Sequence, residues 1–243
     1  MTGKDKSSTD KVYQEAKTHI VDFAFNEDVT AVFPDMIRRS VPGYELMVPV
    51  TGLMAARHLG EQGTAWDLGC SLGATTTAIL QQNPSPEIHI QAVDNSPAMI
   101  EQARQLIRDP RVTFTLDDVL TIEIEDASVI ILNLVMQFIA PEERVALLKK
   151  LHAGLRRDGI LLISEKVCNE DDALEAYYDT THLAWKAANG YSNLEISQKR
   201  TALENVMRID SEQTHLNRFE ECGFSSANQW FRCLNWASFI VRR

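Results

Sequence analysis

Two glycines and a carboxylate meet in Asp67-Leu68-Gly69-Cys70-Ser71-Leu72-Gly73, which the flanking pattern makes a strand-to-helix turn. Glycines there let the chain turn sharply and let a ligand approach the backbone. A dinucleotide site would require G-x-G-x-x-G, with the pyrophosphate on the helix N-terminus. Ser71 stands where the second glycine of that pattern belongs. The acid two positions before Gly69 suits a cationic amino group better than a phosphate, so the expected ligand is an aminoacyl nucleoside. Further along, Asp94-Asn95-Ser96-Pro97 puts a carboxylate at the end of the next strand, where it can accept hydrogen bonds from both ribose hydroxyls. Alone, that stretch reads equally well as a cap and turn. Asp117-Asp118-Val119 follows the third strand and can hold an adenine amino group; Asn133 ends the fourth, with its amide toward the same crevice.

These positions need a frame. Strands are expected at Thr64–Leu68, Ile88–Val93, Val112–Leu116, Ser128–Leu134 and Ile160–Ser164, and helices at Ala74–Gln82, from Ser96-Pro97 to about Arg108, and Pro141–Leu155. Ser96 is an N-cap with proline at the first helical position. The unbroken apolar run SVIILNL fits a strand covered on both faces. Such alternation gives βαβ units with right-handed crossovers, hence a doubly wound parallel sheet. A helix over Ser211–Cys222 and closely spaced strands near Gln229–Phe231 and Ala237–Val241 complete the chain, the last two as an antiparallel edge hairpin. Residues 1–11 read as a disordered tip and 12–243 as a single domain. Within it, 12–60 form N-terminal helices broken by Pro34 and by Ser40–Gly43, and about 170–207 form a helical insertion.

Composition narrows the function classes. The chain has 243 residues, 44% hydrophobic and 24% charged, with a net charge of −10. That balance argues against a nucleic-acid groove or an anionic membrane as the main partner. Arg38-Arg39, Lys149-Lys150 and Arg156-Arg157 read as solvated helix faces. Cys70, Cys168, Cys222 and Cys233 form no C-x-x-C pair, so reduced thiols are expected rather than disulfides or zinc. His182 with Glu170-Asp171-Asp172 lacks metal-ligand spacing, so no metal is expected. The polar start MTGKDKSSTDK has no apolar segment of a signal peptide, and no run approaches a membrane span. A cytoplasmic location follows as an expectation.

The Asp67–Gly73 turn, Asp94 and the strand order resemble the class I S-adenosylmethionine-dependent methyltransferase fold. This is a Rossmann-like α/β fold with a mostly parallel seven-stranded sheet and an antiparallel edge hairpin. From about Asn26 the chain is similar, more narrowly, to the carboxy-S-adenosyl-L-methionine synthase family. VFPDMIRRSVPGY (32–44), DLGCSLGAT (67–75), DNSPAMIE (94–101), ISEK (163–166), ANGYSNLEISQKR (188–200) and LENVMRIDSEQTH (203–215) carry the likeness. The last two lie in or just beyond the insertion, where generic methyltransferases have no counterpart. The resemblance implies that S-adenosylmethionine and prephenate become carboxy-S-adenosylmethionine and phenylpyruvate. The product would feed a separate carboxymethyltransferase acting on tRNA wobble uridine, and the enzyme would be a homodimer. It also implies that Tyr44, Gly69, Cys70, Ser71, Asp94, Asn95, Asp118, Val119, Asn133 and Arg200 line the cofactor site, with Asp67 beside them.

The chemistry of such a reaction sets requirements. A sulfonium methyl group is acidic, and prephenate aromatises downhill as it loses carbon dioxide. One dry pocket lets the resulting ylide capture that carbon dioxide by proximity. Recognition of the new carboxylate suits an arginine fork, and the resemblance assigns this to Arg200. Lys199 beside it is not expected to point inward, since adjacent helix positions diverge. Tyr44 and His182 are conceivable bases, but a base supplied by the substrate is the expectation. The competing readings are an ordinary methyltransferase and a non-catalytic cofactor carrier. The apolar stripe Val29, Val32, Phe33, Met36 and Ile37 would serve as a dimer interface, a sheet cover or a cofactor lid.

Overall fold

The most apolar segment of the chain lies at the centre of the sheet. A computed structural model describes residues 9–15, 23–204 and 206–243. In it Ala127–Asn133 forms β4, all but its last residue buried. The other strands are β1 (Gln62–Leu68), β2 (Glu87–Asp94), β3 (Val112–Leu116), β5 (Leu155–Cys168), β6 (Asp210–Ser211), β7 (Ser226–Cys233) and β8 (Trp236–Arg242). They run in the order β3-β2-β1-β4-β5-β8-β7, with the short β6 beside β5. Ladders from β3 to β5 are parallel, whereas β8 is antiparallel to both β5 and β7. The expected hairpin is therefore the edge of a mostly parallel sheet. β5 runs well past the expected Ile160–Ser164 because β8 pairs with it as far as Lys166.

Helices cover both faces, which is why β4 shows no alternation. On one face α2 (Tyr44–Leu59) and α3 (Ala74–Gln82) bury Ala55, Leu59 and Ile79 against Ala65, Ile90, Ile131 and Leu162. On the other, α5 (Arg144–Gly154) and α8 (Glu212–Glu221) bury Leu147, Leu151 and Phe219 against Leu132, Leu161 and Phe239. Helix α4 (Pro97–Leu106) is capped by Ser96, whose hydroxyl accepts from the Met99 amide. It ends sooner than the expected Arg108. Pro141 opens a separate 3₁₀ turn rather than the first turn of α5. The insertion contributes α6 (Asp172–Ala188) and α7 (Asn193–Glu204). Among the described residues no helix is long and apolar enough to cross a membrane.

Three N-terminal expectations are corrected. Residues 12–15 form turns rather than helix, and among the described residues regular helix begins with α1 (Glu27–Ser40), whose N-cap Asn26 accepts from Val29 N. Pro34 does not break α1: the caps at both ends and the buried stripe hold the helix across the one lost amide. That stripe is occupied internally, since Val29, Val32 and Met36 pack with Met99, Phe25 and Leu72. Of the polar tip, residues 1–8 lie outside the described residues, but Asp10 is buried. Its carboxylate accepts from the Tyr191 hydroxyl at 2.5 Å, and its amide donates to Asp35 at 2.8 Å. A buried carboxylate persists only with such partners.

Arg144 shows how the face away from the insertion is held. Its side chain is fully buried and donates to the carbonyls of Ile139 and Arg208 and to Asp210 Oδ2, which also receives Arg218. One guanidinium thus joins the loop after β4 to the segment leading into α8. Arg144→Ala is expected to cost about 3 kcal/mol, because it leaves buried acceptors unpaired. Urea denaturation of the two proteins measures this; a loss below about 1 kcal/mol would mean that water or Arg218 replaces the guanidinium.

Candidate active site

The parallel strands β1, β2, β3 and β4 deliver their polar C-terminal residues to one edge of the sheet, where open α/β sheets bind ligands. Register fixes which residues share a face. Asp67 lies beside Ile131, and Asn133 two residues on lies beside Ser164, so Asp67, Asn133 and Ser164 share the α2/α3 side. After β1 the chain bends through positive φ at Gly69 (70°), Ser71 (50°) and Gly73 (79°). A side chain at Gly69 would collide with Val135 from the loop after β4. That approach, and not only the turn, demands glycine there.

Asp94 organises the turn. Its Oδ2 accepts from Ser71 N at 2.9 Å and its Oδ1 from Ser96 N at 2.9 Å. Burial raises its carboxyl above the ordinary value, against those two amides. The acid thus holds the glycine turn and the start of α4 together, leaving lone pairs at the strand end. Asn95 donates to Asp118 Oδ2 at 3.1 Å, and Asp118 Oδ1 accepts from Leu120 N. The segments after β2 and β3 are so joined into one wall. Val119 is buried, with its carbonyl accepting from Lys150. Cys70 packs its thiol against Ala92 and Ile100, and burial pushes that thiol far up. Cys70 therefore contributes backbone to the turn rather than chemistry.

Asp67 is buried and its Oδ2 accepts from both the amide and the hydroxyl of Thr76, at 3.1 and 2.7 Å. Burial pushes its carboxyl up to about 6. Tyr44 packs with Leu134, Trp230 and Phe231; burial and the Asp67 carboxylate drive its phenol up to about 12, which keeps it neutral. Asn133 donates to Thr75 Oγ1 at 2.9 Å, while its own Oδ1 is buried without a partner among the described residues. An orphaned acceptor at a strand end is what an incoming ammonium group would satisfy.

One organising residue was not singled out by the sequence: Glu165. Its carboxylate, wholly buried, accepts from the amides of Val135, Met136 and Gln137 at 3.1, 2.8 and 3.0 Å. Burial pushes it up to about 8 against those donors. It fixes the loop after β4, where Leu134 has φ 63° and Val135 closes on Gly69. The only signal was a charged pair, Glu165-Lys166, ending an apolar strand.

The insertion departs from expectation at α7. Arg200 lies outward, 65% exposed, with Asp179 at 3.8 Å, so it is not gathered with the strand-end residues. Lys199 takes the inward position instead, its Nζ 2.8 Å from Ser40 Oγ and 3.8 Å from Asp10. The two positions do diverge, but α7 turns Lys199 toward α1. His182 is buried; its Nε2–H donates to the Ser40 carbonyl at 2.8 Å and its ring meets Trp236 edge-on. Burial, then the Lys186 charge, lowers its basicity to about 3. Neither Tyr44 nor His182 is therefore poised as a base at neutral pH. No group of metal ligands exists among the described residues.

Sheet order, glycine turn and strand-end acids define the class I S-adenosylmethionine-dependent methyltransferase fold. Residues 65–159 match the methyltransferase domain family. Among solved structures, an O-methyltransferase family protein from Burkholderia thailandensis aligns with TM-score 0.66 at 19% identity, covering 90% of this chain and 60% of that one. The mitomycin 7-O-methyltransferase MmcR aligns with TM-score 0.62 at 16% identity, over 89% and 57%. The chain spans about six tenths of the length of these structures, and they establish the fold alone. Full-length relatives go further. A carboxy-S-adenosyl-L-methionine synthase from Geobacter sp. (strain M21) is 47% identical over 96% of this chain and 98% of its own. One from Vibrio campbellii is 47% identical over 97% and 98%. The chain belongs to the carboxy-S-adenosyl-L-methionine synthase family.

Neutral, buried His182 makes stability depend on pH. The unfolded chain takes up a proton near the ordinary value of 6.5, and the folded chain does so only near 3. The stability it contributes is complete above pH 6.5 and lost as pH falls toward 3, by up to about 1.4 kcal/mol per pH unit. Urea midpoints at pH 7 and pH 5 are expected to converge between the wild type and His182→Gln; parallel profiles would refute the assignment.

Proposed function

We propose that this protein converts S-adenosylmethionine and prephenate into carboxy-S-adenosylmethionine and phenylpyruvate. The observation that carries the reading is the likeness, over almost the whole chain, to proteins named carboxy-S-adenosyl-L-methionine synthase. The site fits the cofactor. Asp94 with Asn95 would receive the ribose, Asp118 and Val119 the adenine, and Asn133, Asp67 and Tyr44 the amino-acid end, across the Gly69–Ser71 backbone. The bound sulfonium supplies the acidic methyl group. Residues 12–243 act as one cofactor-binding unit.

The chain's own part is positioning and exclusion of water. The acids on the crevice are already tied to backbone amides, so the walls need little rearrangement when ligand enters. A neutral Tyr44 and a weakly basic His182 support a base brought by prephenate. Arg200 would reach the new carboxylate from the insertion by exchanging its Asp179 contact. The protein acts in the cytoplasm as a homodimer, a reading that Leu46 and Leu53, exposed on one side of α2, support. Its product passes to a tRNA carboxymethyltransferase.

The test is mass spectrometry of S-adenosylmethionine incubated with the protein, with and without prephenate. A cofactor heavier by one carbon dioxide is expected only with prephenate, together with phenylpyruvate. Tyr44→Phe and His182→Ala should both retain turnover, whereas Arg200→Ala should reduce formation of the carboxylated product about tenfold or more. Untouched prephenate beside normally bound cofactor would return the protein to the ordinary methyltransferases.

A further inference from the structure

From Asn133, at the edge of the cofactor crevice, polar side chains continue across the same sheet face into positions that the proposed cofactor contacts do not include. Asn133, Ser164 and Ser238 form a row across β4, β5 and β8, since Asn133 is paired with Ser164 and Ser164 with Ser238. The Ser238 hydroxyl is wholly buried and has no partner among the described residues. Two residues further along β5 stands Lys166, paired with Trp236, and its ammonium lies 5.8 Å from that indole. A hydroxyl without a partner among the described residues and a cation therefore adjoin Asn133 on the side away from Asp94.

Helix α6 brings a further cation. Lys186 is 7% exposed; among the described residues its ammonium makes no hydrogen bond, and Asp179 is the carboxylate whose charge acts on it. Its position in the last turn of α6 offers only the partial charge of the helix end. Burial and the nearby charges of Lys166 and Arg200, against that of Asp179, lower its basicity to about 8. Among the described residues, Asp179 is the one carboxylate within ion-pair reach of Lys166 or Arg200, at 3.9 and 3.8 Å. Several cations around one acid, in a chain of net charge −10, are a costly arrangement to leave without an anion.

We propose that Lys166 and Lys186, with the Ser164–Ser238 row, form the subsite that receives the carboxylates of a cyclic dicarboxylic acid. Resting on the function proposed above, this assigns the second substrate's site to residues that bind no part of the cofactor. The dicarboxylate then lies beside the two ammonium groups, next to Asn133 and the amino-acid end of the crevice. The ammonium groups hold it there and replace the water its carboxylates give up.

The experiment is titration of prephenate into protein saturated with S-adenosylhomocysteine, which has no methyl group to react. Wild type, Lys186→Gln, Lys186→Arg and Lys166→Gln are compared. The prephenate Kd should rise about tenfold or more in each glutamine variant and stay within about threefold in Lys186→Arg. Affinity for S-adenosylhomocysteine should change less than about twofold. Ligand-free Lys186→Gln should melt no lower than wild type, because a largely desolvated cation beside the like charges of Lys166 and Arg200 is removed. Equal prephenate affinity in wild type and Lys186→Gln would overturn the subsite while leaving the function reading intact. A fall in melting temperature with loss of both ligands would make Lys186 structural and overturn it too. A wild type that neither binds nor consumes prephenate would overturn the function reading and the subsite together.

Discussion

One carboxylate, that of Asp94, holds two crossings of the sheet in register with each other. Its two oxygens accept the amides of Ser71 and Ser96, and its own carbonyl accepts from Asp117. The glycine turn after β1, the start of α4 and the segment after β3 therefore meet at one residue. The other strand ends use the same device: Asp67 takes two donors from Thr76, and Glu165 takes three from the loop after β4. Each buried acid costs desolvation that its amides offset. The yield is a crevice whose walls are fixed before any ligand arrives.

The insertion follows a different logic. Where the strand ends are lined with acids already satisfied by backbone, α6 and α7 bury Lys186 and Lys199. Lys199 has Ser40 and Asp10, and through Asp10 and Tyr191 it ties residues near the N-terminus to α7. Among the described residues Lys186 has no hydrogen-bond acceptor of that kind, and its opposing charge is the Asp179 carboxylate it shares with Lys166 and Arg200. The two halves of the proposed site thus differ in charge: acids would face the amino group and the ribose hydroxyls of the cofactor, cations the second substrate. Carbon dioxide released on the cationic side would then pass only Asn133 to reach a sulfonium on the acidic side.

The sheet was legible because its signals are local. Glycines at Gly69 and Gly73, the Ser96-Pro97 cap and the apolar run of β4 each specify one conformation from a few neighbouring residues. The strand-end acids were legible for the same reason, since strand polarity alone brings them to one edge. Contacts of long sequence separation were not. Nothing near Glu165 announces the amides it binds some thirty residues earlier, and nothing near Asp10 announces Tyr191. The outward Arg200 and inward Lys199 show the limit: helical geometry separates adjacent side chains but does not say which of them faces the core. Pro34 shows the converse, a local rule overridden by packing along the rest of α1.

Capture within one closed pocket is the central claim, and isotope tracing tests it most directly. Prephenate labelled with carbon-13 in the ring carboxyl group would be turned over with S-adenosylmethionine in excess unlabelled bicarbonate. The account predicts that carboxy-S-adenosylmethionine carries the label undiluted, because carbon dioxide passes from prephenate to the ylide without reaching solvent. A product whose label matches the bicarbonate pool would contradict it, and would mean that decarboxylation and carboxylation are separate events.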